Sequence, residues 1–148
     1  MNFPDQKVEI FDSDIECIDS SLPIWKIWKL MKAKGRKFLP MLKNGNFEGV
    51  VRSRDILSLA TTSQSHIQIE DAVDRDPFCV KLTDNLQTVK DRFTASTVEY
   101  VVLLNQLNEP IEIVTVNQML LFVGQNPNLP ANSLVLTLYK WRINYGNH

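Results

Sequence analysis

Hydrophobic residues near the start of the chain predict a strand followed by a helix. Residues 16–18, Glu-Cys-Ile, are a candidate for a short strand. Ile24, Ile27 and Met31 then recur three and four positions apart, which places them on one face of a helix. Gly35 comes soon after, and glycine commonly ends a helix because it tolerates a positive φ. We therefore expect a strand and then a helix of about three turns.

The next apolar and polar stretches predict a hairpin and a second helix. The apolar residues 38–42 predict a buried strand and residues 48–51 a returning strand. Between them lies Asn44-Gly45, a residue pair that strongly favours a two-residue hairpin turn. Residues 53–55 then supply the polar start of a helix over 56–60. The predicted order of elements in this part of the chain is strand, helix, strand, strand, helix.

The same order occurs twice, because the chain resembles itself. Residues 16–42 align without a gap to residues 78–104, and residues 49–57 align to residues 112–120 after one extra residue in the turn. The aligned positions share hydrophobic character where a core needs it: Cys17 with Cys79, Ile27 with Val89, Met31 with Phe93, Phe38 with Tyr100, and Leu42 with Leu104. Two copies of one β-α-β-β-α unit predict an α/β (α+β) fold, with a cleft between the copies as the place to look for function.

Breaks in this pattern divide the chain into three segments. A polar connector at 61–65 separates the repeats, so we assign residues 1–62 to the first repeat with its lead-in and residues 63–124 to the second. Residues 125–148 belong to neither repeat and form a C-terminal extension. Its hydrophobic residues fit either a helix or a strand, and we favour a helix.

Bulk composition indicates a globular protein and argues against several partners. The chain has 148 residues, of which 44% are hydrophobic and 22% charged, enough to bury an ordinary core. The net charge of −1 gives no general attraction to nucleic acid or anionic lipid, and no stretch approaches the ~18 apolar residues of a membrane span. The first residues lack the pattern of a secretory signal, so we expect a cytoplasmic protein without nucleic-acid or membrane partners.

Charge is distributed unevenly near the start of the chain. The first 19 residues carry six acids and one base, whereas residues 26–37 carry six bases and no acid. One interpretation is a solvated helix face whose bases gather toward the C-terminal end, where the helix dipole favours them. The other is a cationic rim that binds phosphates or the acidic surface of a partner.

Residues that could carry chemistry form no catalytic pattern. His66 and His148 stand apart from any nucleophile or cluster of metal ligands, and neither a glycine-rich phosphate loop nor a carboxylate dyad occurs. Cys17 and Cys79 have apolar neighbours, which favours packing over a reactive thiol or a zinc site. We expect a protein that is not an enzyme and holds no metal.

Three segments resemble a known family. Residues 71–80 read Asp-Ala-Val-Asp-Arg-Asp-Pro-Phe-Cys-Val, residues 35–41 read Gly-Arg-Lys-Phe-Leu-Pro-Met, and residues 49–57 read Gly-Val-Val-Arg-Ser-Arg-Asp-Ile-Leu. They are similar to the opening, middle and end of a cystathionine-β-synthase (CBS) domain, and residues 8–123 resemble a tandem CBS pair, or Bateman module. The resemblance implies two halves with pseudo-twofold symmetry, homodimers, and a regulatory role in which adenosine-containing ligands bind in clefts between the halves.

The family's ligand signature is incomplete in the first repeat. The signature runs Gly, hydrophobe, any residue, Ser or Thr, two further residues and Asp, and the resemblance implies that the Asp binds ribose hydroxyls. Here Gly49 and Asp55 are present, but Arg52 stands at the hydroxyl position and Ser53 comes one place later. An arginine fork can hold a phosphate. This repeat therefore suits a phosphorylated nucleoside such as AMP, ADP or ATP.

The signature is incomplete in a different way in the second repeat. Thr115 is present, but Glu112 replaces the Gly and Gln118 replaces the Asp. Gln cannot accept hydrogen bonds from two vicinal hydroxyls as a carboxylate does, and Glu112 would repel a phosphate. We therefore expect the second site to be empty.

Resemblance and local chemistry together give the candidate ligand-binding residues: Cys17, Phe38, Leu39, Pro40, Val51, Arg52, Ser53, Asp55, Thr115 and Gln118. Asp55 has a second interpretation, as an acid in the first turn of a helix, where the dipole favours it.

The functional hypothesis is a regulatory module that binds an adenine nucleotide in the cleft near Asp55 and acts on a protein effector. The alternative is a degenerate pair that serves as an interaction or dimerisation scaffold without a small-molecule ligand. We also expect a homodimer anchored by Leu138 and Trp141, since exposed apolar anchors are typical of interfaces.

Overall fold

A computed structural model describes Phe11, residues 15–61 and residues 69–145. These residues form two compact bodies, one of residues Ile15–Pro77 and one of residues 78–145 together with Phe11. We call them the first body and the second body. The acidic residues before residue 15, residues 62–65 of the connector, His66 and His148 lie outside the described residues.

The first body contains a four-stranded sheet with two helices. Its elements are β1 (Ile18–Asp19), α1 (Ile24–Lys34), β2 (Phe38–Lys43), β3 (Asn46–Arg52), α2 (Ser53–Ala60), a 3-10 turn (Ile69–Ala72) and β4 (Val73–Asp74). The strand order is β1-β2-β3-β4, with β1 parallel to β2 and the other pairs antiparallel. Ile27, Met31, Leu39 and Val51 lie in its core, so the predicted helix face is confirmed.

Both turn predictions in this body are confirmed by the backbone angles. Gly35 ends α1 with a φ of 62°, and its amide donates to carbonyl oxygens in the last turn of the helix. Asn44 and Gly45 join β2 to β3 with φ values of 53° and 79°. Positive φ at both central positions is what a type I′ hairpin turn requires.

The second body repeats the order of elements and adds a helix. It comprises β5 (Cys79–Lys81), α3 (Leu86–Ala95), β6 (Tyr100–Leu104), β7 (Pro110–Thr115), α4 (Val116–Gln125) and α5 (Val135–Tyr145). The sheet order is β5-β6-β7, with β5 parallel to β6 and β7 antiparallel to it. The predicted α+β class and the β-α-β-β-α order of both repeats are confirmed. Within the described residues, every helix falls short of the length and apolarity needed to cross a membrane.

The segment between the repeats packs on the first body. β4 pairs with β3 through Val50 and Asp74 and through Val51 and Val73. Gly49 makes this pairing possible, because a Cβ at that position would collide with the backbone carbonyl oxygen of Asp74. The lead-in to the second repeat is therefore structurally part of the first body, although it follows the polar connector in sequence.

The C-terminal extension forms a helix, as favoured from the sequence, but the proposed interface anchors are wrong. Leu138 is 0% exposed and Trp141 is 7% exposed. The Trp141 ring packs edge-on against Phe122, with centroids 5.4 Å apart, and its Nε1 donates to Oε1 of Gln125 at 2.8 Å. These side chains complete the core of their own body and are not available as a surface for a partner.

Asn105 organises one end of the second body. Its Nδ2 donates to the backbone oxygen of Phe11 at 2.8 Å and to Oε1 of Glu109 at 2.7 Å. Its Oδ1 accepts from the amides of Leu107 and Glu109, each at 2.9 Å. The Phe11 ring packs edge-on against Tyr139, so α5 and this turn together hold a residue from near the start of the chain.

Candidate functional site

Two charged candidate residues come together at the junction of β3 and α2. β3 ends at Arg52, which is also the N-cap residue of α2, and Asp55 lies in the first turn of that helix. Nε of Arg52 donates to Oδ2 of Asp55 at 3.1 Å, a spacing of three residues that brings side chains to the same helix face. The first body therefore presents a guanidinium and a carboxylate side by side.

Both members of this pair remain within reach of solvent. The side chain of Arg52 is 30% exposed and that of Asp55 is 37% exposed. Partly exposed ion pairs contribute only about 0–1 kcal/mol, since water competes for both charges. A ligand that offered hydroxyls to Asp55 and a phosphate to Arg52 could therefore replace their contact at small cost. The position also fits the second interpretation of Asp55, because it is the acid in the first turn of α2.

The neighbouring strand positions divide between the two faces of the sheet. Phe38 pairs with Arg52 across β2 and β3, so these two residues share a face. Pro40 lies two residues further along β2 and shares that face. Leu39 and Val51 pair with each other on the opposite face, where both are 0% exposed within the core. Phe38 and Pro40 are thus on the same side as the charged pair, whereas the side chains of Leu39 and Val51 are committed to packing.

Cys17 and Ser53 occupy the edges of this region. Cys17 immediately precedes β1, and β1 pairs with β2 at Met41. The thiol of Cys17 contacts the backbone oxygen of Ile15 at 3.5 Å. Ser53 begins α2, and its amide donates to the backbone oxygen of Lys37 at 2.9 Å. That hydrogen bond ties the start of α2 to the residue just before β2, which positions Arg52 and Asp55.

The two candidate residues of the second body serve a different purpose. Thr115 is the N-cap of α4, and its hydroxyl accepts from the amide of Gln118 at 3.3 Å. Gln118 returns the interaction, since its Oε1 accepts from the amide of Thr115 at 2.9 Å. This reciprocal capping box satisfies two backbone amides that the helix itself cannot. Glu112 is buried, and its Oε1 accepts from the amide of Ile113 at 2.9 Å.

Sequence reasoning missed the residues that occupy the space over Gly49. That glycine was interpreted through a ligand signature, but in the structure the backbone of Asp74 and the side chain of Val73 lie against it. The only sequence signal was the glycine itself, which marks a close approach without saying what approaches. Among the described residues, no group of His, Cys, Asp and Glu side chains is arranged to hold a metal ion.

Comparison with known proteins links the first part of the chain to a family. The model of the CBS domain matches residues 8–61, which include the first repeat with its Arg52 and Asp55. The match identifies a CBS domain in residues 8–61. A comparison with curated protein sequences gives no match.

Solved structures share the fold over 75–79% of this chain. Staphylococcus aureus OpuCA matches with a TM-score of 0.62 and 15% identity over 76% of this chain and 93% of that chain. The CBS-domain pair of protein MJ0100, in complex with 5′-methylthioadenosine and S-adenosyl-L-methionine, matches with a TM-score of 0.65 and 18% identity over 79% and 94%. A CBS-domain protein from Shewanella oneidensis matches with a TM-score of 0.61 and 16% identity over 75% and 90%. At these identities the likeness establishes the fold, which is that of a CBS-domain pair.

Proposed function

We propose that this CBS pair is a regulatory module of the cytoplasm whose first body binds an adenine nucleotide beside Asp55. The observation that carries the proposal is the Arg52–Asp55 pair at the start of α2, 3.1 Å apart and partly exposed. A carboxylate accepts from both ribose hydroxyls, and an adjacent guanidinium binds phosphate, so together they suit AMP, ADP or ATP. The adenosine-derived ligands of the MJ0100 pair support this class of ligand.

The second body is the weaker candidate for the same ligand. Thr115 and Gln118 satisfy each other's backbone amides, so a ligand that recruited them would have to compete with the cap of α4. Buried Glu112 adds a carboxylate where the family signature has glycine. One nucleotide per chain is the expected stoichiometry. Its binding would favour one arrangement of the module and so change the surface shown to an effector.

Thermal shift and calorimetry test the proposal. AMP, ADP, ATP, S-adenosylmethionine and NAD are added singly, and a ligand at ~100 times its dissociation constant should stabilise the fold by about 2.7 kcal/mol. Asp55→Ala should then weaken binding by about 1.5–3 kcal/mol, as expected for a lost hydrogen bond to a charged group. Thr115→Ala should leave the affinity nearly unchanged. A larger loss from the Thr115 change would assign the ligand to the second body, and no response to any of the five compounds would reject the nucleotide.

Homodimerisation is a second candidate function, and the exposed face of α4 favours it. Val116, Leu120 and Val123 follow one another at helical spacing and are 38%, 67% and 37% exposed, and Leu121 beside them is 52% exposed. α4 carries no charged residue at all. Contiguous exposed apolar side chains commonly mark protein interfaces. Sedimentation equilibrium tests this, and a monomer at high micromolar concentration would exclude a scaffold that works as a homodimer.

A further inference from the structure

The exposed face of α1 combines lysines with a tryptophan. Trp25, Lys29 and Lys32 lie at positions i, i+4 and i+7, so they form one row about 10 Å long on the helix surface. Trp25 is 60% exposed, which is the highest value among the described large hydrophobic side chains of the first body. It lies on α1, which carries four lysines. The Nζ of Lys26 lies 5.6 Å from the centre of its ring. We call Trp25, Lys26, Lys29 and Lys32 the lysine–tryptophan face.

The charge of this face is not neutralised within the described chain. Among the described residues, the ion pairs between Lys43 and Glu70, between Arg75 and Glu48, and between Arg52 and Asp55 involve none of these lysines. α1 itself contains no acidic residue. Since the whole chain has a net charge of −1, the positive charge gathered on this helix is a local feature and not the consequence of a basic protein.

The tryptophan on this face is not a misplaced core residue. α1 already buries its apolar face, where Ile27 is 0% exposed and Met31 is 1% exposed. Trp28 lies closer to that core and is half-buried. Trp25 therefore stands on the solvent side of an otherwise amphipathic helix. Tryptophan is enriched among residues that anchor protein interfaces because it buries a large area with few rotatable bonds.

We propose that the lysine–tryptophan face binds an acidic segment of a partner polypeptide. Carboxylates of the partner would lie along Lys26, Lys29 and Lys32, and its backbone or an apolar side chain would cover the Trp25 ring. Three residues of extended chain span about 10 Å, so a short acidic segment matches the length of the row. A bilayer is the poorer fit, because a helix that inserts into lipid needs a broad apolar face, and the apolar face of α1 is already packed inside the protein.

A labelled peptide tests the proposal on the intact chain. The probe is a fluorescein-labelled, glutamate-rich peptide of about twelve residues. The control is a peptide of the same length and sequence in which every Glu is replaced by Gln. Fluorescence anisotropy at about 50 mM salt should show binding of the first peptide and not of the second, and about 300 mM salt should abolish it. The emission of exposed Trp25 should shift to shorter wavelength as the peptide covers the ring.

Charge reversal locates the binding surface. The double variant Lys26→Glu, Lys29→Glu should lower the affinity about tenfold or more. These two positions lie outside the last turn of α1, where Lys32 and Lys34 interact favourably with the dipole, so the helix should stay folded. The control is Lys81→Glu, Lys140→Glu, which changes the net charge equally at exposed positions of the second body and should leave the affinity within twofold. Trp25→Ala should weaken binding severalfold while circular dichroism shows α1 unchanged.

Each alternative outcome overturns the proposal. Equal losses in the two double variants would mean that net charge alone attracts the peptide. Equal binding of the Gln peptide would remove the role of the lysines. Binding to vesicles with about 30% phosphatidylserine, but not to the acidic peptide, would make the face a membrane contact. Absence of any binding at low salt would leave the face as a solvated helix surface.

Discussion

Replacing Gly49 with alanine tests how β4 is held against β3. The new Cβ would lie 2.6 Å from Cγ1 of Val73 and would collide with the backbone oxygen of Asp74. The Val73 methyl can rotate away, but the Asp74 carbonyl can move only with its strand. Normal contact then requires a displacement of β4 on the order of 1 Å, which disrupts its pairing with Val50 and Val51.

The expected cost follows from that displacement. Overpacking of a filled site usually costs about 1–3 kcal/mol. A loss of about 2 kcal/mol lowers the midpoint of thermal unfolding by about 4–8 °C for a chain of this size. Differential scanning calorimetry measures the midpoint, and hydrogen exchange of peptides covering 69–77 reports whether β4 is the part that loosens.

Gly124 supplies the control for this prediction. It lies inside α4, and a Cβ there would meet nothing within 4 Å. Gly124→Ala should therefore stabilise the protein by up to about 1 kcal/mol through helix propensity. Opposite signs for the two substitutions are expected. A Gly49→Ala protein that melts within about 1 °C of the original, with unchanged exchange at 69–77, would refute the reasoning about β4.

Three further predictions concern the second body. Thr115→Ala should remove the capping box of α4 and lower stability by about 1 kcal/mol in thermal melts; an unchanged midpoint would mean that the cap contributes nothing. Asn105→Ala should lose four side-chain hydrogen bonds and cost about 2–4 kcal/mol, and chemical denaturation showing less than about 0.5 kcal/mol would contradict the role given to this residue. Trp141→Ala should cost about 3–5 kcal/mol as a core deletion, whereas Leu120→Ser should alter stability by about 0.5 kcal/mol at most while weakening self-association in sedimentation equilibrium; the reverse pattern would restore Trp141 as an interface residue.

Local signals in the sequence predicted most of the fold. Gly35 and Asn44-Gly45 mark positions where the backbone needs a positive φ, and such positions depend little on the rest of the structure. The internal repeat predicted the remaining elements, because both copies must bury the same face of each helix. Leu86–Ala95 and Ile24–Lys34 are both helical, as that reasoning required.

Long-range packing is what the sequence could not show. Trp141 was interpreted as a surface residue because it lies outside the repeats. In the structure its ring packs against Phe122 of the second repeat. The pairing of β4 with β3 was missed because the polar connector suggested that everything after it belongs to the second repeat. Both errors concern which surfaces meet, and hydrophobic periodicity reports only that a surface is buried.

The candidate site was predictable only in part. The i,i+3 spacing of Arg52 and Asp55 allows their contact, and the structure shows it. In the second repeat the ligand signature overlaps a helix-capping signature, Thr115 followed three residues later by Gln118. The same two residues therefore fit a ligand site or a helix cap, and the hydrogen bonds of the structure support the helix cap.

The hold of Asn105 and Tyr139 on Phe11 bears on how the chain folds during synthesis. Phe11 leaves the ribosome early, but its partners follow 94 and 128 residues later. The first body, residues Ile15–Pro77, is complete in sequence long before that and can form while the rest is being translated. The Phe11 ring cannot pack against Tyr139 until α5 has emerged, so this contact is among the last to form. A chain released before residue 139 would keep a folded first body but would leave the Phe11 ring without its Tyr139 contact. Quality-control factors could recognise such an uncovered aromatic ring as the mark of an unfinished chain.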